Sequence, residues 1–482
     1  MAFRRQLVPI TAERPPRAAR PPVHVRVRSR EDAAPGELAE VREAPVSWIG
    51  VAIVMTFTAL ISAVAADARW LVALGRTIVA QGSIPDGVPF AAASTKGWPN
   101  VPVLAELVFD GLYSLAGARG LQIAQIAAVT IACALIALDA RRLGAGDRSI
   151  VIVLVLAVPA AFAAIVAIRA QLFSLALFPA LVVVLRAEAR RPSRLIWAIP
   201  PLLALWSNLH GASLTGLAVA GAYLVFDRAR REPLVAFGVL ASSCLALCLT
   251  PALQDTPAYY AGVVGGEAAR QGIGLWAPFS LSSGPDVATL ACLALGLWPL
   301  IRARPRLWEA IALAGLVVLA ARTSRGGVWV VLMAAPLIAA GLPWRSFTRS
   351  RVVPLVLGTC AILTVFGIVR GPFNTAATPS VVERAVHDAH GTPVLAADAL
   401  AEQIALAGGR VWVANPVDAF SRSDQKLWLA WLEGAPAGDA ALAHAPRVVV
   451  VGRNGAPAQR LAADPRFRLD VQDKAASVYI RR

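Results

Sequence analysis

Residues 195–250 read LIWAIPPLLALWSNLHGASLTGLAVAGAYLVFDRARREPLVAFGVLASSCLALCLT. Three apolar runs, 195–209, 211–226 and 233–250, are divided by two unlike turns. The first carries Asn208 and His210 and no Arg or Lys; the second carries Arg228, Arg230 and Arg231. Each run has close to the length that crosses roughly 30 Å of hydrocarbon at about 1.5 Å per helical residue. None shows the polar stripe that a helix at a water interface needs. The stretch is therefore predicted to pass through a membrane, with its basic turn on one side and its weakly polar turn on the other.

The same alternation extends both ways. Further apolar segments lie at about 47–66, 120–138, 149–168, 170–186, 286–301, 307–321, 327–343 and 352–369, making eleven. Hydrophobic residues are 57% of 482, and the mean hydropathy is +0.61, far beyond the needs of one soluble core. Five alternate turns hold sixteen Arg: Arg141, Arg142 and Arg148; Arg186, Arg190, Arg191 and Arg194; Arg228, Arg230 and Arg231; Arg302, Arg304 and Arg306; Arg345, Arg349 and Arg351. The connections between these five turns hold four, Arg169, Arg270, Arg322 and Arg325. Retention of basic residues on the cytoplasmic side puts the N-terminus inside and, after an odd number of spans, the C-terminal region outside. The net charge of +16 reflects this topology and gives no reason to expect a nucleic-acid partner.

Residues 1–45 are rich in Arg and Pro and lack an apolar face, as in RPPRAARPPVHVRVRSR from Arg14 to Arg30. They read as a disordered basic cytoplasmic tail able to touch anionic headgroups. The first apolar run starts too late and is too long for a cleavable signal and reads as an uncleaved anchor. Cys133, Cys244, Cys248, Cys292 and Cys360 all fall inside apolar segments, which suggests neither a disulfide framework nor a zinc site.

Two external parts are large. The first external loop, 67–119, has helical spacing in ARWLVALGRTIVAQG and VPVLAELVFDGLYSLAG and is predicted to form two helices on or near the membrane surface. The tail, 374–482, alternates strand-like with helical runs and is predicted to be a small α/β domain outside the membrane. It holds no glycine fingerprint for phosphate, so no cofactor is assigned to it.

Asp67, Arg169, Gln171, Asn208, His210, Trp276, Arg322 and Arg325 all fall at external ends of apolar segments. An ionisable group at membrane depth is costly unless paired or open to water, so such a set points to a site. A carboxylate among Arg, imidazole and amide side chains suits a phosphorylated ligand and removal of a proton from an acceptor. Structural readings stand beside this one. Asp67 could cap the next helix or pair with Arg69, and the Arg side chains could anchor at headgroups. Asn208 and His210 could satisfy a tight turn, Trp98, Trp276 and Trp329 could sit at an interface, and Glu106 could pair with Arg76.

Several blocks carry a resemblance: DARWLVALGRTIVAQGSIPDGVPF (67–90), GWPNVPVLAEL (97–107), IRAQLFSLALF (168–178), LWSNLHGASLTG (205–216), LWAPF (275–279) and ARTSRGGVWVVLMAAP (321–336). In this order they resemble a group of bacterial multispanning proteins that is similar to the membrane glycosyltransferases of the GT-C superfold, family 39-like. The resemblance covers nearly everything after residue 45, including DVQDKAASVYIRR at 470–482. It implies a GT-C-like helical polytopic protein of the plasma membrane using a polyprenyl-phosphate-linked sugar, with membrane lipids around it and an envelope glycan, lipid or protein as acceptor.

On the same resemblance Asp67 is the catalytic acidic residue after the first span. Arg76, Glu106, Arg169, Gln171, Asn208 and His210 match the group's recurring polar positions. With Trp276, Arg322 and Arg325 they make the expected substrate site, the donor phosphate being held by Arg169 with Arg322 or Arg325. Departures are Val88 before Pro89 and Phe90, where the group usually has Asp; Val101, Pro102 and Val103, where it has His-Glu-Trp; and Asn415 and Pro416, where Asp-Gly is common. They leave a second carboxylate and a divalent metal open. They also keep an alternative in view, a non-catalytic protein that binds or carries lipid-linked glycan or scaffolds envelope assembly.

Overall fold

The computed structural model describes residues 46–65, 67–344, 352–374, 377–445 and 447–482. The basic tail and the turn holding Arg345, Arg349 and Arg351 lie outside the described residues.

The chain opens with helix α1 (Trp48–Ile61), strand β1 (Ala63–Val64), and helices α2 (Ala68–Gln81) and α3 (Val103–Ala116). Next come α4 (Ala118–Arg142), α5 (Asp147–Ala160), α6 (Phe162–Val166), β2 (Ala167–Ile168) and α7 (Gln171–Arg190). Helices α8 (Ile199–Ser207), α9 (Ser213–Phe226), α10 (Pro233–Ala246), α11 (Thr256–Gly265) and α12 (Glu267–Gln271) follow. The helical part ends with α13 (Gly284–Arg302), α14 (Leu307–Arg322), α15 (Gly327–Gly341) and α16 (Val352–Arg370).

All eleven apolar segments are helical over most of their length. Stretches 118–142, 171–190, 284–302, 324–341 and 352–370 are each long and apolar enough to cross a membrane alone. The others are shorter or broken, for local reasons. Pro159 lacks an N–H, and α5 stops one residue later before α6 resumes. Residues 194–198 form a 3-10 turn ahead of Pro200 and Pro201, so α8 is only the second half of its apolar run. The surroundings of the helices differ. Helix α15 is buried along nearly all its length, whereas α13 and α16 turn Leu295, Trp298, Leu355, Ile362 and Phe366 outward. Hydrocarbon, not water, suits such a surface.

At one end of the bundle, Arg186 is buried against Asp139 and donates from Nε to Glu309 at 2.7 Å and from Nη2 to the Met333 carbonyl at 3.0 Å. Arg228 sits between Glu188 at 3.3 Å and Glu232 at 2.9 Å. Two of the sixteen basic-turn arginines are thus internal clamps. At the opposite end, β1 pairs in parallel with β2 and with β3 (Phe373–Asn374), joining the outer ends of α1, α6 and α16. This small sheet is the frame on which the site is built.

Residues 377–482 hold α17 (Pro379–Ala389), β4 (Leu395–Ala396), α18 (Asp398–Leu406), α19 (Arg422–Leu432), β5 (Val448–Gly452), α20 (Ala456–Ala463), β6 (Phe467–Gln472) and β7 (Ala476–Arg481). The strand order is β4-β5-β7-β6, with β4 parallel to β5 and the other pairs antiparallel. Successive side chains of a strand point to opposite faces, and here both faces are covered. Val448, Val450 and Val478 join the apolar cluster of α2, α17 and α18, whereas Val449, Val451 and Tyr479 join that of α19 and α20. Helix α2 therefore buries its apolar side against α3 and α18. Its cover is protein.

Candidate functional site

Strand β1 ends at Val64 and β2 at Ile168, in register with each other, so the segments that follow emerge side by side. Asp67 comes three residues after the first and Arg169 directly after the second. Asp67 adopts φ 80° and ψ −30°, a left-handed backbone that costs a non-glycine residue about 1–3 kcal/mol. Its N–H donates to Oε1 of Glu402 in α18 at 2.8 Å. A hydrogen bond to a charged group contributes about 1.5–3 kcal/mol, enough to offset that strain. The side chain of Asp67 makes no capping bond to α2, and among the described residues it has no hydrogen bond or ion pair. The nearby charge of Arg69 is matched by Glu402. The Asp67 carboxylate is thus free to face a ligand, and its charge reaches Arg169.

Arg169 is 8% exposed; its Nη2 donates to Gln171 and its Nε has no partner. Arg325 lies over the Trp276 ring, 4.6 Å from its centroid, and its charge reaches Arg169 as well. Both guanidinium groups line a cleft of about 310 Å³. The lining also includes the polar Gln171 and Ser324 and the apolar Ala160, Ala164, Pro285 and Val328. Asp286 ties the walls together: Oδ2 accepts from the Ser280 N–H at 3.1 Å and from the Ser324 hydroxyl at 3.3 Å. Two cations share this space, and an anion placed between them removes their mutual repulsion. A cleft that combines two cations with apolar walls matches a phosphate carried on a hydrocarbon chain.

His210 sits in the turn between α8 and α9. Its Nδ1 accepts from the Ala212 N–H at 3.2 Å and lies 2.8 Å from the Ser174 hydroxyl, which itself accepts from Trp206 Nε1 at 2.7 Å. With Nδ1 accepting, the proton is on Nε2. Burial, then Arg325 and Arg169, push the imidazole down to about 3, so it is a neutral donor. Asn208 spends both amide hydrogens on carbonyls, of Ala204 at 2.8 Å and Leu249 at 2.7 Å, and so builds the turn.

Three residues of the expected set stand elsewhere. Arg76 pairs with Asp110 at 3.6 Å and is half exposed, so it is not the partner of Glu106. Glu106 is fully buried and accepts from Asn100 Nδ2 at 2.9 Å, with Oε1 unpartnered; burial pushes its carboxyl up to about 7. Arg322 is exposed at the end of α14 and pairs with no group among the described residues, whereas Arg325 faces the cleft. Trp329 is not at an interface but buried in α15, 5.4 Å from Phe178.

No family model and no curated protein matches the chain. Solved structures do. ArnT from Cupriavidus metallidurans, described as bound to undecaprenyl phosphate, aligns with a TM-score of 0.50 at 14% identity over 91% of this chain and 98% of its own. ArnT from the same organism in the apo state aligns at 0.51 and 15% identity, over 90% and 97%. The chain has the GT-C fold. At these identities the likeness is one of fold.

Within the GT-C fold the C-terminal region adds groups that sequence reasoning missed. Asp418 Oδ2 accepts from the Trp98 indole N–H at 2.9 Å, linking the first external loop to the tail. Burial above all raises the Asp418 carboxyl; the Asp67 charge adds to this, while the bond from Trp98 and the Arg325 charge oppose it. Tyr259 is raised chiefly by burial and next by Asp418. Asp67 and Arg325 thus lie within electrostatic reach of Asp418, and Asp418 and Arg325 within reach of Tyr259. The only sequence signal for Asp418 is its position just after Asn415 and Pro416, where the chain departs from the group's pattern. Among the described residues no three His, Cys, Asp or Glu side chains converge on a metal position.

Proposed function

We propose that the chain is a membrane glycosyltransferase that moves a sugar from a polyprenyl-phosphate donor to an envelope acceptor at the outer face of the plasma membrane. The observation that carries this reading is the Asp67 carboxylate within electrostatic reach of Arg169, which with Arg325 lines a cleft of mixed polar and apolar walls. The acceptor hydroxyl oxygen attacks the anomeric carbon, the carbon–oxygen bond to the phosphate breaks, and the hydroxyl proton passes to Asp67. Negative charge grows on the leaving phosphate where both guanidinium groups are already placed, and the His210 Nε2–H is a neutral donor on the same side. The proposed division is a cytoplasmic tail (1–45), a transmembrane unit with eleven crossings and a first external loop at 67–119 (46–373), and an external α/β domain (374–482). That domain covers the cavity or selects the acceptor.

The alternative, a non-catalytic protein that binds lipid-linked glycan, is favoured by one observation. Glu106 is the carboxylate left near the missing His-Glu-Trp run, and its raised pKa keeps it largely uncharged below neutrality. Undecaprenyl phosphate, the lipid named for one ArnT structure, is the first probe for both readings. The deciding experiment offers purified protein a panel of polyprenyl-phosphate sugars and measures released polyprenyl phosphate. Asp67→Asn keeps shape and loses basicity, so turnover should fall by about 10²- to 10⁴-fold. Binding without release on any acceptor would leave the non-catalytic reading in place, whereas full activity of Asp67→Asn would remove the catalytic role of Asp67 alone.

A further inference from the structure

We propose that Glu402 is the positioning residue for Asp67, so that the C-terminal region builds the active site as well as covering it. This rests on the catalytic reading of Asp67. Asp67 combines a backbone in the left-handed region with a side chain that makes no hydrogen bond or ion pair among the described residues. Its carboxylate direction is therefore set by the backbone, and on the C-terminal side that backbone is held by Glu402. Glu402 is fully buried, and its Oε1 accepts from two donors at once, the Asp67 N–H at 2.8 Å and Asn415 Nδ2 at 2.6 Å.

The surroundings fit that role. Arg69, in the first turn of α2, is buried where the Glu402 charge favours its cationic form. Ala401, Ile404 and Ala405 of α18 share an apolar cluster with Ala68, Leu71 and Val72 of α2, so the helix carrying Glu402 is fixed against the helix that follows Asp67. Asn415 approaches the same oxygen from a separate segment of the C-terminal region. Glu402 thus joins α2, α18 and the 415 turn at one point, and Asp67 leaves that point toward Arg169. Removal of the carboxylate frees the backbone to relax out of the left-handed region, which swings the Asp67 side chain away. Misplacement of a catalytic group by about 1 Å can cost about 10²-fold in rate.

The test uses the full chain in lipid nanodiscs with Glu402→Ala, Glu402→Gln and Asp67→Asn. Hydrogen exchange is read at the Asp67 amide, binding is read with undecaprenyl phosphate, and turnover with the active donor of the panel. Glu402→Ala should accelerate exchange, leave undecaprenyl phosphate affinity and donor KM unchanged, and lower kcat by about 10²-fold. Glu402→Gln keeps a carbonyl acceptor and should show the same changes, smaller; it also keeps the experiment readable should the alanine variant not fold. Unchanged exchange in both variants overturns the proposal, and so does accelerated exchange with unchanged kcat. Should Asp67→Asn be fully active, the catalytic role of Asp67 falls while the exchange arm still decides whether Glu402 anchors the loop.

Discussion

Arg169 and Arg325 are like charges close enough to destabilise one another, and among the described residues neither has an ion pair. Such a pair is held ready for an anion. Arg325→Ala removes a charge-assisted contact of about 1.5–3 kcal/mol, so undecaprenyl phosphate affinity should fall by about 10- to 100-fold. Arg322→Ala, at an exposed helix end, should leave it unchanged; titration of the purified protein with the lipid separates the two. Glu106 gives a second expectation at this scale. Its carboxyl is raised by burial from 4.5 to about 7, so between those values the folded state holds a proton that the unfolded state has released. This contribution is fully present below 4.5 and is lost as pH rises through 7, a decline on the order of 3 kcal/mol. Glu106→Gln should flatten that decline, and thermal unfolding across pH 4.5 to 8 checks it. Sequence showed that Asp67, Arg169, His210 and Arg325 belong to one face, because each interrupts an apolar run at the same end. It could not separate Arg322 from Arg325, three residues apart, because which of them faces inward depends on where α14 stops and the 3-10 turn at 324–326 begins.

At the scale of elements, apolar periodicity located the helices, but two kinds of feature escaped it. The parallel pairing of β1 with β2 and β3 uses only two residues per strand, too few to leave an alternation in the sequence. Yet that pairing brings Asp67 beside Arg169. The joining of α2 to α18 and of Trp98 to Asp418 was equally hidden, since a contact between segments so distant in the chain has no local signature. What was legible in the first external loop was its pair of helices; what was not was how closely they approach. A Cβ added at Gly75 would lie 2.2 Å from the Glu106 carbonyl oxygen and 2.9 Å from the Asp110 Cβ, so the glycine allows α2 and α3 to touch. Gly75→Ala gains helix propensity but forces the helices apart. It should lower stability by about 1–3 kcal/mol and displace Glu106, which a thermal melt and a repeat of the Glu106 pH series would detect.

On the scale of the whole molecule the two faces are chemically unlike. One gathers Arg141, Arg186, Arg228 and Arg306 with their carboxylate partners, and the other gathers the Asp67 loop, the Arg169 turn, the His210 turn and the C-terminal region. Helices α1 and α16 pack in parallel: Thr56 bonds to the Cys360 carbonyl at 3.0 Å, and a Cβ at Gly367 would meet the Ala59 carbonyl oxygen at 2.6 Å. On the proposed topology, first and last crossings that run the same way make an odd number, and the two ends lie on opposite sides. Buried clamps such as Arg186 and Arg228 are internally neutralised, so in the proposed orientation the exposed Arg142, Arg190, Arg191 and Arg302 are the residues whose retention in the cytoplasm would set it. Alkaline phosphatase folds only outside the cytoplasm, and green fluorescent protein exported through the same route stays dark. A phosphatase fused after Arg482 should therefore be active and a fluorescent protein there dark, with the reverse pattern for fusions in the 143–146 turn. The inverted result would place Asp67, Arg169 and Arg325 on the cytoplasmic side, where the outer-face transfer could not take place.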